Sequence, residues 1–428
     1  MENTISVNIP ITSKPRIVIV GGGFAGVELI RGLCHVDTSV VLIDKNNHHT
    51  FQPLLYQVAT AGLEADSIAY PFREIFRQQK NFVFRMAEVH EILISQKKLK
   101  TSIGEVEYDY LVLANGSRTN YFGMKDFSEF TLPMKSIPEA LAIRNLVFEN
   151  MEKALVKNNT DEREALMNIV VIGGGPTGVE MAGALGELKN HVLVEDYPEL
   201  DIKRMQIHVV DMEDRLLKAM SSEASQHAVD FLKRFEVNLW LNTKVVSFDG
   251  RVLTLSNGKK ILSDTVIWAA GVAGAIVGGL PPEAIVAGRL KVNSFNQVEG
   301  CSNIYAIGDI AAVITDKTPR GHPMLAPIAI QQAKNLAKNF NHIFANKPLK
   351  PFVYKNPGVM ATIGRNHAVV DVNGLKFSGF LGWLMWLFVH LMALVGFRNK
   401  IVVLVNWAWN YFSFDRSLRL IIRPVKKF

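Results

Sequence analysis

The chain has 428 residues, 48% apolar and 20% charged, with 47 Lys and Arg against 40 Asp and Glu for a net charge of +7. That length suggests two or three domains, and the apolar share suffices for a sizeable core and excludes a disordered chain. The basic balance suits an anionic surface or ligand, but no zinc-finger, ribonucleoprotein or long basic-arm pattern accompanies it, so nucleic acid is not an expected partner.

Met1 to Lys14 are polar, without the apolar stretch of a signal peptide or the Arg-rich character of a transit peptide, so a reducing, cytoplasm-like compartment is expected. Arg16 to Val20 read as a buried strand, followed at once by Gly21-Gly22-Gly23-Phe24-Ala25-Gly26 and a helical pattern through Val27, Leu29, Ile30 and Leu33. A second strand, Ser39 to Ile43, ends at Asp44. Strand, GxGxxG, helix, strand and acid within ~30 residues make a dinucleotide-binding βαβ unit. Gly21 takes the tight turn, Gly23 lets the backbone approach a pyrophosphate, and Gly26 permits close helix–strand packing. The helix N-terminus offers free N–H groups to phosphate, and Asp44 can accept from a ribose hydroxyl. A glycine turn without a ligand is the plainer alternative; the flanking strands and the acid weigh against it.

Tyr108 to Ala114 is a further strand, ending in Asn115-Gly116. The fingerprint then recurs: strand Asn168 to Ile172, Gly173-Gly174-Gly175-Pro176-Thr177-Gly178, and a helix through Val179, Met181 and Leu185. A polar insertion, Asp196 to Arg204, precedes the strand Gln206 to Val210, which ends at Asp211 with Glu213 close behind. The two glycine cores lie roughly 150 residues apart, one domain's length. Two complete fingerprints point to two dinucleotides bound at once. A carboxylate at the second strand's end favours a ribose 2′-OH over a 2′-phosphate, hence NADH over NADPH, with Arg215 nearby pulling the other way. Asp264 to Ala270 ends in Gly271, and Asn303 to Ile307 ends in Gly308-Asp309. Glycine lets a returning chain pass a nucleotide, and the acid can hydrogen-bond the ribityl and phosphate region of a flavin.

Phe377 to Phe397 contains no Asp, Glu, Lys or Arg, and His390 is its only readily titratable residue. About twenty apolar residues can span a bilayer, so a transmembrane helix and a buried core helix are both open. In Ile401 to Phe414, Asn406, Asn410 and Ser413 share one helical face, while Val402, Val403, Val405, Trp407, Trp409 and Tyr411 occupy the others. That pattern suits a helix lying in a membrane interface. Arg398, Lys400, Arg416, Arg419, Arg423, Lys426 and Lys427 flank it and suit anionic lipid heads.

Ile17 to Gly26, Asp44-Lys45-Asn46-Asn47 with Phe51-Gln52-Pro53-Leu54-Leu55-Tyr56-Gln57, and Tyr108 to Ser117 carry a resemblance across nearly the whole chain. Val171 to Gly183, Trp268 to Gly271, Tyr305 to Asp309 and the aromatic C-terminus continue it. Together they resemble the type II NADH:quinone oxidoreductases, flavoproteins with two dinucleotide-binding domains. The resemblance implies an α/β fold with two Rossmann-like domains and a C-terminal helical membrane anchor. FAD would be bound by 12–135 and 289–376, NADH by 136–288, and the membrane by 377–428. It implies FAD contacts from Gly21, Gly23, Phe24, Ala25, Gly26, Asp44, Lys45, Gln57, Ala114, Gly116, Gly308 and Asp309. NADH, as substrate, would meet Gly173, Gly175, Pro176, Thr177, Gly178, Asp211, Ala270 and Gly271. The helix pair would be a monotopic anchor on the cytoplasmic face of an inner membrane, and a homodimer is implied in the same way.

The chemistry implied is hydride transfer from NADH to the flavin and two-electron reduction of a membrane quinone. It needs no redox cysteine pair, and Cys34 (placed on a helix) and Cys301 (before a strand) are not spaced for one or for a metal. Glu180 lies on the first turn of the second glycine helix, where a carboxylate is unusual beside an anionic pyrophosphate; complementing the helix dipole is its plainer role. The resemblance puts Glu180 at the junction of nicotinamide, flavin and quinone, assisting proton delivery as a catalytic residue with Gln331. The family's Ala-Gln-x-Ala-x-Gln pattern is here Ala326-Pro327-Ile328-Ala329-Ile330-Gln331-Gln332, so Pro327 replaces one quinone contact and Gln331 keeps the other. Proline is compatible with a helix start. Lys400 and His390 are further quinone candidates, with lipid anchoring as the alternative for the cation. No series of buried acids crosses a membrane, so electron transfer without proton pumping is expected. A soluble NAD(P)H reductase and a nucleotide-binding redox sensor without turnover are the rival readings.

Overall fold

The structure, a computed structural model, describes residues 7–316, 318–372, 374–413 and 418–422. Phe414, Arg416, Arg423, Lys426 and Lys427, which the sequence reading places at the membrane, lie outside the described residues, as do residues 1–6 of the polar N-terminus. The strands that position the site are β1 (Arg16–Val20), β2 (Ser39–Asp44), β3 (Phe82–Met86), β4 (Tyr110–Leu113), β5 (Leu132–Pro133), β6 (Ile169–Ile172) and β7 (Ile207–Val210). They continue as β8 (Val237–Trp240), β9 (Thr265–Trp268), β10 (Ile304–Ala306), β11 (Val359–Gly364), β12 (His367–Val372) and β13 (Leu375–Ser378). The helices are α1 (Phe24–Gly32), α2 (Ile137–Leu155), α3 (Pro176–Leu188), α4 (Ser222–Arg234), α5 (Ala326–Phe344), α6 (Gly379–Ala393) and α7 (Phe397–Ser413).

The chain forms two compact units. One gathers the stretch ending at His49 with Tyr70–Arg118 and Val272–Asn356; the other gathers Thr50–Ala69, Thr119–Gly271 and the stretch from Pro357 onward. The first unit holds a five-stranded parallel sheet in the order β10-β4-β1-β2-β3. Alternate residues of β1 serve opposite faces, as a pleated strand requires. Ile17 and Ile19 meet Leu29, Ile30 and Leu33 around α1 and Ala333, Leu336 and Phe340 of α5. Val18 and Val20 meet Ile92, Leu99 and Val106 on the other side. The α1–α5 crossing is close enough that a Cβ at Gly32 would lie 2.6 Å from the Ala337 methyl.

The second unit repeats the plan with a five-stranded parallel sheet in the order β5-β9-β6-β7-β8. In each sheet the glycine strand lies centrally, with the strand bearing the acid on one side. The second unit also carries the antiparallel sheet β11-β12-β13, whose first strand lies along α3. A Cβ at Gly183 would overlap the Ile363 carbonyl oxygen. Residues 357–376, expected to work with the first fold, therefore pack within the second unit, because β11 fills the groove that this glycine opens. Cys34 lies in the turn after α1 rather than on the helix, and both cysteines are free.

The apolar run Phe377 to Phe397 is not one helix. α6 has 15 residues, or ~22 Å at the α-helical rise, short of the ~30 Å of a bilayer core. It stops at Leu394, which is extended, and Gly396 takes a positive φ of 87° before α7 begins. Among the described residues no helix is long and apolar enough to cross a membrane. In α7 the polar stripe turns inward. Asn406 Nδ2 donates to Glu64 (2.6 Å), Asn410 Nδ2 to the Gly62 carbonyl (3.0 Å), and Asn399 Nδ2 to the carbonyls of Asp66 and Ala69. The outward face is apolar, with Leu404, Val405, Trp409 and Phe412 exposed, the last to 83%. α6 likewise exposes Leu381, Leu384, Phe388 and Met392 while burying Trp386.

Gly183→Ala tests the α3–β11 contact. Overpacking against backbone costs ~1–3 kcal/mol, so the variant is expected to unfold several degrees lower by circular dichroism; an unchanged melting temperature would show that the contact bears no load.

Candidate functional site

Both glycine turns are built alike. Gly21 and Gly173 adopt left-handed backbone, φ +99° and +115°, as the tight turn out of the strand demands. A Cβ at Gly26 would overlap the Gly21 carbonyl oxygen, and one at Gly178 would overlap that of Gly173. At Gly23 and Gly175 a Cβ would meet no atom within 4 Å, so the backbone there borders open space at a helix N-terminus. The acids complete the turns. Asp44 accepts from Gly22 N–H (2.7 Å) and Asn46 N–H (2.7 Å). Asp211 accepts from Gly174 N–H and from Glu213 N–H (2.8 Å). Burial pushes the Asp44 carboxyl up, and its two N–H donors pull it part of the way back. Each carboxylate retains acceptor capacity for a ribose hydroxyl.

Around the first turn, buried His49 lies edge-on to Phe24, its ring 5.2 Å away, and its Nδ1 is 3.0 Å from the Gly22 carbonyl. Burial pushes its pKa down, so the ring is neutral and donates through Nδ1–H. Its Nε2 is buried without a hydrogen-bond partner. Ala25 and Ala114 are buried and Lys45 is exposed. Gly116 and Gly308 both have positive φ. Asp309 accepts from Ser117 Oγ at 2.6 Å. Two residues that the sequence reading passed over hold this turn: Gln332 Oε1 accepts from Gly308 N–H (2.7 Å), and buried Arg289 donates to the carbonyls of Asp309, Ala311 and His322. Gln332 was detectable, since it falls on the same helical face as Ile328 and Leu336. The left-handed turn, the bare approach at Gly23 and the orphaned His49 nitrogen fit a dinucleotide such as FAD.

On the second turn Pro176 and Thr177 are exposed at the start of α3, and Ala270 and Gly271 follow β9. Glu180 lies just past the first turn of α3, not on it as the sequence reading expects, so it is not a first-turn complement to the helix dipole; it is half-buried yet lies deep within surrounding protein. Desolvation pushes its carboxyl up to about 8; the Thr362 N–H, 3.4 Å away, and more loosely the Trp386 indole N–H pull it down. That indole makes no well-aligned hydrogen bond. Trp386 stacks on His390 at 4.0 Å, and His390 Nδ1 is 2.8 Å from the Trp386 carbonyl. Burial lowers His390 to about 4, so it is neutral. Trp407 Nε1–H donates to Gln57 Oε1 (2.8 Å), and Gln57 Nε2 donates to Tyr56 Oη (2.7 Å).

The quinone candidates already have partners. Gln331 donates to the Lys355 carbonyl (2.8 Å) and accepts from its N–H (3.0 Å). Pro327 occupies the first turn of α5, as its ring allows. Lys400 Nζ donates to the Met392 carbonyl (2.8 Å), capping the end of α6. Among the described residues no group of His, Cys, Asp and Glu could hold a metal.

Residues 15–333 match the family described as pyridine nucleotide-disulphide oxidoreductase, and 357–416 match the NDH2 C-terminal domain. A type II NADH:quinone oxidoreductase of Mycobacterium tuberculosis is 34% identical over 94% of this chain and 89% of its own length. The internal alternative NAD(P)H-ubiquinone oxidoreductase of Arabidopsis thaliana is 29% identical over 95% of this chain and 85% of its own. The solved structure of NDH2 from Plasmodium falciparum in complex with NADH shares the fold at a TM-score of 0.88 and 22% identity, covering 96% of this chain and all of that one. The duplicated fold and its turns define a two-dinucleotide flavoprotein. Within that class, the chain belongs to the type II NADH:quinone oxidoreductases.

Glu180 carries a pH signature. Its carboxyl stays protonated below about 8; the proton-delivery role that the family resemblance implies for it predicts that quinone reduction at saturating NADH falls as pH rises through that value. Glu180→Gln should flatten the profile and slow turnover by about 10²-fold. The raised folded value also makes stability fall with rising pH from 4.5 to about 8, because the folded state holds the proton more tightly there. Melting curves of the glutamine variant should lose that slope.

Proposed function

We propose that the chain takes a hydride from NADH held on the second glycine turn and delivers two electrons to a membrane quinone, with FAD held on the first. The observation that carries this reading is the glycine–acid turn built twice in one chain, with Glu180 just past the first turn of the second helix. Bound FAD supplies the carrier that accepts the hydride and passes the electrons on. Within the first fold, the Gly21–Gly26 turn, Asp44 and Gly308-Asp309 would hold it. Within 136–288, Gly173–Gly178 and Asp211 would hold NADH. Arg215 donates to the Met220 and Lys218 carbonyls and to Ser225 Oγ, which leaves it poorly disposed to meet a 2′-phosphate and supports NADH over NADPH. Glu180, neutral at pH 7, can release a proton to a reduced quinone oxygen. Gln331 retains one amide hydrogen and one lone pair for a quinone; Pro327 and Lys400 are further quinone candidates by the family resemblance. Electron transfer proceeds without proton pumping.

The outward apolar faces of α6 and α7 support a peripheral, monotopic membrane attachment, assigned to the cytoplasmic face of an inner membrane; a homodimer follows the family resemblance alone.

An anaerobic titration tests the reaction. NADH should bleach the flavin absorbance, and a soluble quinone should restore it within the mixing time; bleaching without recovery would point to a different acceptor, and a colourless protein that binds no added FAD would overturn the reading. Attachment is tested by flotation with anionic lipid vesicles. The intact chain should float, and Phe388→Asp with Phe412→Asp should stay at the bottom while retaining flavin; equal flotation would refute the α6–α7 surface as the contact.

A further inference from the structure

We propose that Asp371, on β12 of the C-terminal sheet, is a positioning residue that sets the affinity for NADH by fixing the loop 211–221, without touching the nucleotide. The inference rests on the assignment of NADH to the second glycine turn.

The loop starts at Asp211, the carboxylate placed to meet the adenosine ribose, and doubles back over the turn itself. Leu217 N–H donates to the carbonyl of Gly174 at 2.8 Å, and a Cβ at Gly174 would lie 2.7 Å from both the Asp211 carboxylate and a Leu216 methyl. Leu217 is held at φ +49°, a left-handed conformation that a leucine keeps only when its surroundings impose it.

The imposing bonds are internal to the loop and its anchor. Arg215 ties the carbonyls of Lys218 and Met220 to Ser225 Oγ, and Ser225 Oγ–H donates to the Leu216 carbonyl (2.6 Å). Met220 N–H returns to the Leu217 carbonyl (2.7 Å). The loop is therefore one hydrogen-bonded body, and it ends at Ser221, the N-cap of α4, whose Oγ accepts from Ala224 N–H (3.3 Å).

Ser221 is held from outside the nucleotide sheet. Its N–H donates to Asp371 Oδ2 (2.7 Å) and its hydroxyl to Oδ1 (3.0 Å). Both bonds are charge-assisted, the stronger kind. Asp371 is itself fixed, paired with Val359 of β11 on one side and Lys376 of β13 on the other. Lys376 also reaches Glu223 at 2.8 Å, but that pair is exposed and screened by solvent. The carboxylate thus anchors a strained loop whose first residue is the ribose acceptor. Without it the loop can relax and carry Asp211 away from its place beside Gly174, while Glu180 and the turn at Gly175 remain where they are.

The experiment uses the flavin-loaded enzyme with a soluble quinone and two hydride donors, NADH and reduced nicotinamide mononucleotide, which lacks the adenosine half. Asp371→Ala should raise KM for NADH about tenfold, with kcat kept and with kcat/KM for the mononucleotide unchanged. Asp371→Asn, which preserves one acceptor oxygen, should fall between, and it serves if the alanine variant does not fold. Lys376→Ala should leave both donors unaffected. Asp211→Ala separates the inference from its premise. If Asp211→Ala raises KM for NADH and neither Asp371 variant does, or if both donors suffer alike, Asp371 has no positioning role. If Asp211→Ala itself leaves KM for NADH unchanged, the assignment of NADH to this turn fails and the inference falls with it.

Discussion

The N–H of the second glycine in each turn, Gly22 and Gly174, ends on the carboxylate of the neighbouring strand, Asp44 and Asp211. That bond draws an acid into a partly desolvated place and locks the turn around it. The first glycine must then be left-handed, and the third must be bare so that the helix can start against the first glycine's carbonyl. The free N–H groups of α1 and α3 consequently face outward at fixed positions before any ligand arrives. A preformed anion cradle spares binding the cost of ordering it.

The sheet β11-β12-β13 is the second constraint, acting entirely within one unit. Thr362 N–H reaches Glu180, the Ile363 backbone rests on Gly183, and Arg365 N–H donates to Glu187, three points along α3. The Arg365 guanidinium donates to the Asn410 and Tyr411 carbonyls of α7. Asp371 holds Ser221. A small antiparallel sheet thereby links the helix bearing the titrating carboxyl, the loop 211–221 and the apolar helix. Their relative geometry depends on a few main-chain contacts.

Features set by adjacent residues were readable from the chain alone. The strand–glycine–helix–strand–acid order specifies its own turn, so Gly21–Gly26 with Asp44 and Gly173–Gly178 with Asp211 are legible in the chain itself. Pro327 at the start of α5 was read the same way. What remote partners decide was not readable. The engagement of Gln331 with Lys355, the capping of α6 by Lys400 and the grip of Asp371 on Ser221 join segments far apart in sequence, and no local pattern encodes them. The break at Leu394–Gly396 was hidden because every residue there is as apolar as its neighbours. The direction of the Asn406–Asn410 stripe was hidden too, since periodicity identifies a face without saying what it meets.

The inward stripe of α7 divides the helix into two regimes of sequence freedom. Asn406 and Asn410 each answer to one acceptor and Asn399 to two, all at fixed distances, so those positions accept almost no replacement. The outward positions, Leu404, Val405, Trp409 and Phe412, are exposed apolar side chains that answer chiefly to the polarity of the medium they meet. Side-chain bulk can drift along that face without disturbing the scaffold. The surface chemistry of this helix can therefore diverge rapidly between relatives while its seat on the protein stays constant.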